Sequence, residues 1–205
     1  MYSHGVRIRH VGAAALLLEV ADPGAWFTEL WRRREAGDLV ATEIVPAAET
    51  LLLDGVPDPP ALAARLQGWA PSAGAATAAG PPIEIPVEYG GPDLADVAAC
   101  WGGNEDSVVD RLVATEFVVA FCGFAPGFGY LTGLPPELAV PRLPEPRPKV
   151  PAGSVGLAGA YAGIYPTASP GGWRLVGRTG VRLFDVDRRP PALLVPGRRV
   201  RLVRE

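Results

Sequence analysis

The sequence predicts a small α+β domain followed by a larger, mainly β domain, and three observations support this fold class. The 205 residues include 25 Gly and 23 Pro, a proportion typical of turn-rich proteins rather than of helical bundles. Strand and helix patterns alternate up to residue 87, whereas from Glu116 onward Gly or Pro interrupts short apolar runs about every 8 to 12 residues. Hydrophobic residues make up 48% of the chain, which is enough to form a buried core.

The first domain contains strand and helix signals in a regular order. Residues 6–11 alternate apolar and polar side chains, and residues 14–20 are almost continuously apolar, so both segments are predicted to be strands. Asp22-Pro23 and Asp58-Pro59 each combine an N-cap with a proline at the first helical position, which predicts two helices. Further strands are predicted at 41–45, 50–53 and 83–87. From 14–20 onward, the order strand, helix, strand, strand, helix, strand is typical of a ferredoxin-like sandwich.

A change in composition marks the predicted domain boundary. Residues 70–82 are nearly all Ala, Gly, Pro and Ser, which predicts a flexible connection. We therefore expect a ferredoxin-like α+β domain at 1–82 and a mainly β domain, a barrel or a sandwich, at 83–205. In the second domain, Asp93 and Asn104 are predicted to cap two short helices before the strands begin.

Charge and hydropathy argue against several classes of protein. No apolar run reaches the roughly 18 residues that span a bilayer, and the N-terminal residues lead into a strand pattern rather than a signal peptide. The net charge of −3 gives no indication of nucleic-acid binding. Residues 137–205 are basic, with 12 Lys and Arg against 5 Asp and Glu, but these arginines alternate with apolar residues as on strand faces. We expect a cytoplasmic protein that binds neither nucleic acid nor membrane.

The cysteine and histidine content argues against a metal site. Cys100 and Cys122 are 22 residues apart without a CxxC motif, and His4 and His10 are the two histidines of the chain. A zinc site needs more ligands of these types, and a histidine-dependent nucleophilic mechanism would need an N-terminal histidine to reach a distant nucleophile. Both cysteines are therefore predicted to be free thiols in a reducing compartment.

Three segments of the second half are candidates for a ligand site. Residues 121–134 place four aromatic rings among four glycines, which is typical of a ligand-binding loop but also of an ordinary aromatic corner of a barrel. Arg142 and Arg147 each follow a proline, so restricted backbones present guanidinium groups that suit a carboxylate or phosphate. Ser169 and the Gly171-Gly172 pair are candidates for a backbone anion nest.

The residue chemistry thus predicts an anion-binding pocket with an aromatic rim. Neither GxGxxG nor GxxxxGK followed by Ser or Thr is present, so no phosphate loop identifies a nucleotide site. The sequence offers no convincing nucleophile or base, and we expect the chemistry to be shared with a partner chain. The predicted site residues are Phe124, Pro126, Gly127, Phe128, Tyr130, Arg142, Arg147, Ser154, Ser169, Gly171, Gly172, Trp173, Arg178 and Thr179.

The same segments resemble a known family. The motifs are GFxPGFxYLxGL at 123–134, PRxxxPRxxVPAGSVGLAG at 141–159, GIYPxxSPGGWRLVGRT at 163–179, and an LFD…PPALLVPGRRVRL stretch at 183–202. They are similar to the allophanate hydrolase subunit 1 family, which includes the 5-oxoprolinase B subunit and the sporulation-kinase inhibitor KipI. The similarity covers most of 85–205 and is weaker in the N-terminal half.

The resemblance implies a ferredoxin-like module followed by a cyclophilin-like barrel. It also implies a C-type subunit (allophanate hydrolase subunit 2) as partner, and the pair resembles the carboxyltransferase part of urea carboxylase. With an A-type subunit, the expected activity is the ATP-dependent opening of 5-oxoproline to L-glutamate, with ATP as a cofactor of the complex.

Four residues depart from the family pattern, and two other functions stay open. Ala13 stands where the family has Asp, Leu112 where it has His, and Tyr161-Ala162 where it has Gln-Thr. These changes remove a proton carrier and an amide from the expected pocket. The alternative function is that of a KipI-like regulator, which inhibits a sensor histidine kinase without catalysis. Peptidyl-prolyl isomerase activity would rest on the barrel fold alone.

Overall fold

The computed structural model describes residues 6–71 and 80–205. The chain divides into two compact units, Met1–Thr77 and Ala78–Glu205. Most of the predicted connection at 70–82 lies outside the described residues, and the boundary after residue 82 remains a prediction. Within the described part of the chain, no helix is both long and apolar enough to cross a membrane.

The first unit is an antiparallel sheet with two helices. Its elements are β1 (Arg7–Val11), β2 (Ala15–Glu19), α1 (Pro23–Glu35), β3 (Glu43–Pro46), β4 (Thr50–Asp54) and α2 (Pro59–Leu66). The strand order is β1-β2-β4-β3. Leu16 and Leu18 pair with Leu53 and Leu51 across β2 and β4, and all four side chains are buried in one cluster with residues of both helices. The core of this unit therefore lies between the sheet and the helices.

Both predicted helix starts in the first unit are confirmed. The Asp22 carboxylate accepts the N–H of Ala25 at 2.9 Å, and the Asp58 carboxylate accepts the N–H of Ala61 at 3.0 Å. Each aspartate is followed by a proline in the first turn, where no backbone donor is needed. A cap of this kind contributes about 1 kcal/mol to helix stability.

The ferredoxin-like arrangement of the first domain is not confirmed. The predicted pattern needed a strand at 83–87 as its last member. The structure places that strand, β5 (Ile83–Tyr89), in the second unit, where it pairs in parallel with the strand at Arg199–Arg204. In the first unit, β1 instead forms the sheet edge beside β2.

The second unit contains a closed barrel, as predicted. Its further elements are α3 (Leu94–Trp101), α4 (Glu105–Ala114), β6 (Glu116–Cys122), β7 (Gly129–Thr132), β8 (Arg147–Val150), β9 (Ser154–Ala158), β10 (Tyr161–Ile164), β11 (Ser169–Gly171), β12 (Arg174–Arg178) and β13 (Arg199–Arg204). The barrel closes in the order β10-β7-β6-β13-β5-β12-β9, and β8 and β11 form a separate ribbon. Ile85, Phe117, Leu131, Leu157 and Leu202 belong to the buried core of this unit.

The two helices of the second unit start differently. Asn104 caps α4 in a capping box, in which its side chain accepts the Ser107 N–H at 2.9 Å and the Ser107 hydroxyl accepts the Asn104 N–H at 3.1 Å. Asp93 occupies the N-cap position of α3 as predicted, but its side chain makes no capping hydrogen bond. The carboxylate of Asp93 is used elsewhere, in the region of the predicted site.

Candidate functional site

Two of the predicted segments lie side by side in the second unit. β8 and β11 pair antiparallel, with Ser169 opposite Val150 and Gly171 opposite Arg147. The Leu143 N–H donates to the Gly172 carbonyl at 2.7 Å. The structure therefore brings the arginine segment and the glycine segment together, as a shared site requires.

Arg142 has a fixed backbone and an exposed side chain. The carbonyl of the preceding Pro141 accepts the Arg174 Nε–H at 3.3 Å, and the following residue, Leu143, is held by Gly172. Within 6–71 and 80–205, no hydrogen bond or ion pair occupies the Arg142 guanidinium. This arginine is thus anchored through its neighbours while its charged group remains available to a ligand.

Tyr165 completes this region, although it was not among the predicted site residues. The residue follows β10 and is 1% exposed. Its hydroxyl lies so close to Gly171 that a Cβ atom at that position would collide with it, which explains the glycine. Burial raises the pKa of the Tyr165 hydroxyl, while a backbone hydrogen bond with Trp173 and the charges of Arg142 and Arg147 act in the opposite direction. The GIYP motif was the available signal for this residue.

Arg147 is held by a protein carboxylate rather than left free for a ligand. Its Nη2 donates to Asp93 at 2.7 Å, and its Nη1 donates to the Trp173 carbonyl at 3.4 Å. Asp93 is 4% exposed and also accepts the Leu175 N–H at 2.7 Å. Asp93 therefore neutralises the charge of Arg147 and fixes its position, and binding of an external anion by Arg147 stays a prediction.

The aromatic segment forms a packed cluster. Phe128 and Trp173 are buried, with ring centroids 5.4 Å apart, and Phe128 also lies 5.4 Å from the Tyr165 ring. A Cβ atom on Gly163 would lie 2.9 Å from both the Phe128 and the Trp173 rings, so the rings reach the strand backbone. Phe128 and Trp173 therefore form the buried part of the aromatic corner, and their predicted contact with a ligand stays a prediction. Half-buried Tyr130 lies at its edge, 5.1 Å from Phe128.

Phe124 differs from its neighbours because it is 60% exposed. Its φ is +68°. The residues on either side are joined by a hydrogen bond, in which the Ala125 N–H donates to the Gly123 carbonyl at 2.8 Å. This combination is a three-residue γ-turn of the strained, positive-φ type. Exposed Pro126 and buried Gly127 complete the loop, and a Cβ atom on Gly127 would lie 2.8 Å from Phe184 Cβ.

The segment of the predicted anion nest lies in and directly after a strand. A nest of the αR-αL type contains a residue in the left-handed region, and neither Gly171 nor Gly172 has a positive φ. Ser169 and Gly171 lie in β11, where their backbones pair with β8. The Ser169 hydroxyl is buried and has no hydrogen-bond partner among the described residues. The backbone groups of Ser169 and Gly171 are therefore engaged in strand pairing, and an anion-binding role of this segment stays a prediction.

Three other predicted residues lie in or near a neighbouring turn. The Thr179 N–H donates to the Gly153 carbonyl at 2.9 Å, and the Thr179 hydroxyl accepts the Val181 N–H at 3.2 Å. The Ser154 carbonyl accepts the Tyr165 N–H at 2.9 Å, so Ser154 supports the strand that leads to the tyrosine. Arg178 is exposed at the end of β12.

The four departures from the family pattern occupy different environments. Ala13 lies exposed in the turn between β1 and β2, and Leu112 is fully buried in the barrel core. Ala162 is also fully buried, whereas the Tyr161 ring packs against Phe121 and Tyr130 at 5.5 and 5.7 Å. Tyr161 therefore enlarges the aromatic cluster.

A cavity of about 600 Å³ lies in another part of the second unit. Its lining consists of Val87, Glu88, Tyr89, Arg204 and Glu205. Burial raises the pKa of Tyr89 to about 12, and its hydroxyl has no hydrogen-bond partner in the described part of the chain. Two glutamates in this lining make it less suitable for an anion than the surroundings of Arg142.

Both cysteines are free thiols. Cys100 is exposed, whereas Cys122 is half-buried and its Sγ donates to the Leu194 carbonyl at 3.3 Å. Burial raises the pKa of the Cys122 thiol to about 11, which keeps it protonated at neutral pH. A protonated thiol is a weak nucleophile, so Cys122 does not fit a catalytic role.

The groups around Arg142 are suited to binding. The free guanidinium of Arg142 and the exposed ring of Phe124 can hold a small molecule that combines an anionic group with an apolar or planar body. The carboxylate of Asp93 is engaged by Arg147. These residues can therefore position a ligand, while bond-breaking groups would have to come from elsewhere.

Known proteins share both the sequence and the fold. Residues 6–194 match the family described as carboxyltransferase domain, subdomain C and D. The 5-oxoprolinase B subunit of Escherichia coli O157:H7 is 44% identical over 210 residues, covering 94% of this chain and 93% of that protein. The 5-oxoprolinase B subunit of Bacillus subtilis (strain 168) is 47% identical over 125 residues, covering 60% of this chain and 52% of the relative.

Several solved structures are similar to this chain in fold. The conserved uncharacterized protein PH0987 from Pyrococcus horikoshii is 36% identical, with a TM-score of 0.59 and 97% coverage of both chains. TTHA0988 is 32% identical with a TM-score of 0.76, covering 97% of this chain and 40% of its own. The urea amidolyase of K. lactis, 19% identical with a TM-score of 0.67, shares the fold over 15% of its length. The chain therefore belongs to the carboxyltransferase subdomain C and D family, together with proteins named as the B subunit of 5-oxoprolinase.

Proposed function

We propose that this chain is the B component of an ATP-dependent 5-oxoprolinase. The observation that carries the proposal is the 44% identity to a 5-oxoprolinase B subunit over nearly the full length of both chains. The proposed reaction adds water across the lactam C–N bond of 5-oxoproline to give L-glutamate, while ATP is hydrolysed to ADP and phosphate. The relatives are named for the enzyme component, so we do not propose the KipI-like regulatory function.

The proposed contribution of this chain is to bind the substrate. Arg142 would pair with the carboxylate of 5-oxoproline, and buried Tyr165 would support the segments around it from below. The free guanidinium of Arg142 beside the glycine segment supports this assignment. A charge-assisted hydrogen bond of this kind contributes about 1.5–3 kcal/mol.

The chemical step would require partner proteins. A C-type subunit is the proposed partner, and an A-type subunit would complete the complex. ATP is assigned to the complex, since the sequence of this chain contains neither phosphate-loop motif. The barrel would be of the cyclophilin-like type, and the complex would be cytoplasmic.

Reconstitution tests the proposal. The chain is mixed with purified C-type and A-type subunits, and ADP and L-glutamate are measured with and without 5-oxoproline. We expect 5-oxoproline-dependent ADP release from the three-component mixture and none from this chain alone. Equal ADP release when this chain is omitted would refute the assignment. Turnover by this chain alone, after removal of trace partners, would refute the shared chemistry.

A further inference from the structure

Phe124 is held in place although its side chain is exposed. The γ-turn at Gly123–Ala125 fixes its backbone, and Gly123 and Phe128 are joined by a hydrogen bond from the Gly123 N–H to the Phe128 carbonyl at 3.2 Å. A phenylalanine at φ +68° is uncommon, because its Cβ atom crowds the backbone in this region. Such strain at an exposed aromatic residue points to a role in binding.

The Phe124 ring is supported on one side by buried rings. Its centroid lies 5.3 Å from that of Phe128 and 6.1 Å from that of Tyr165, and both contacts are edge-to-face. Phe128 and Tyr165 are almost completely buried, so they form a rigid base for the Phe124 ring. The remaining surface of the ring faces solvent and is available to a ligand.

Tyr165 also connects Phe124 to Arg142. The Tyr165 hydroxyl lies against Gly171. The carbonyl of the next residue, Gly172, accepts the N–H of Leu143, which directly follows Arg142. The exposed Phe124 ring therefore packs on Tyr165, and the charge of Arg142 is near enough to act on the pKa of the same tyrosine. The two groups match a ligand with a flat ring and a carboxylate attached to it.

We propose that Phe124 is a specificity-determining residue, whose exposed ring packs on the flat face of a cyclic amide while Arg142 holds the carboxylate of the same molecule. This inference rests on the proposed function, and it identifies the flat ring of the substrate as the feature that Phe124 recognises. Ring opening removes the flat face, so Phe124 would favour the cyclic substrate over its open-chain product.

The test compares Phe124→Leu with Phe124→Tyr in the reconstituted three-component complex. Leucine is apolar but not planar, whereas tyrosine keeps the planar ring. We expect Phe124→Leu to raise the KM for 5-oxoproline about tenfold with kcat within about twofold, and Phe124→Tyr to keep both values within about twofold. Val186→Ala is the matched control, because Val186 is a 67% exposed apolar residue near Phe184, which packs against Gly127. This control is expected to leave KM unchanged.

Assembly of the complex is measured by size-exclusion chromatography in parallel. If Phe124→Leu assembles normally and keeps the wild-type KM, the inference is overturned while the proposed function stands. If Phe124→Leu fails to assemble but folds normally by circular dichroism, Phe124 is a contact to a partner protein and the inference is also overturned. A wild-type complex without 5-oxoproline turnover would overturn the proposed function and, with it, this inference.

Discussion

The carboxylate of Asp93 lies 2.7 Å from the guanidinium of Arg147, and the same carboxylate accepts the backbone N–H of Leu175 at 2.7 Å. The bond from Leu175 ties the start of α3 to β12, and the ion pair ties both to β8. Arg147 is 28% exposed at its side chain, whereas that of Asp93 is 6% exposed. The pair therefore stabilises the framework of the candidate site, and Arg142 is the arginine that we propose contacts the ligand.

The first prediction is that substitutions of Arg147 and Arg142 differ in their effect on the free energy of unfolding. Arg147→Ala should lower the free energy of unfolding by about 2 kcal/mol, because it leaves a buried carboxylate without its charged partner, an effect moderated by the partial exposure of Arg147. Arg142→Ala should change it by less than about 0.5 kcal/mol, as is usual for an exposed residue without partners. Urea denaturation followed by circular dichroism measures both values. Equal losses for the two variants would contradict the structural role of Arg147.

A second prediction concerns Gly171, the last residue of β11, and Gly172, which follows it. Gly171→Ala should destabilise the second unit by about 1–3 kcal/mol, because the new methyl group would collide with the Tyr165 hydroxyl and ring. Gly172→Ala is the matched control, since the nearest atom to its added Cβ, the Leu143 carbonyl oxygen, lies 3.6 Å away. Thermal unfolding of the two variants gives the comparison. A Gly171→Ala protein as stable as Gly172→Ala would show that Tyr165 does not occupy this position.

A third prediction concerns stability at alkaline pH. The Cys122 thiol has a pKa of about 11 in the folded chain, against 9.0 for the unperturbed group. The unfolded chain therefore loses this proton first, so the stabilisation is fully present below about pH 9 and is lost as the pH rises towards 11. Allowing for its partial exposure, this loss is about 1–2 kcal/mol.

Cys122→Ala provides the control for the pH experiment. Urea denaturation at pH 8 and pH 10.5 should show a larger drop in unfolding free energy for the wild type than for the variant. An identical drop in both proteins would mean that the Cys122 thiol titrates as in the unfolded chain. Cys100→Ala, which alters an exposed thiol, should behave like the wild type.

Local signals in the sequence were sufficient for several elements of the fold. The caps at Asp22, Asp58 and Asn104 depend on residues three positions apart, so their partners can be identified from the sequence itself. Turn residues at regular spacing likewise indicated a barrel or a sandwich, and the structure has a barrel. The partner of Asp93 could not be identified in this way, because Arg147 is 54 residues away and is brought close by the fold.

The candidate site was only partly predictable for the same reason. Phe124 and Phe128 share one motif, yet the first is exposed and the second is buried, and this difference depends on a positive φ that a phenylalanine does not signal. Ser169 and Gly171 read as an anion nest by composition, whereas pairing with β8 makes them a strand. Tyr165 was missed because a tyrosine at a strand end is ordinary until its neighbours are known.

The role of Arg142 as the carboxylate-binding residue is tested most directly by the KM for 5-oxoproline in the reconstituted complex. Arg142→Ala should raise this KM about tenfold to a hundredfold through loss of a charge-assisted contact. Arg199→Ala should leave it within about twofold, because Arg199 pairs with Glu116 at 2.6 Å on a barrel strand and takes no part in the proposed site. A wild-type KM in a folded, assembled Arg142→Ala complex, or an equal rise for Arg199→Ala, would contradict the account.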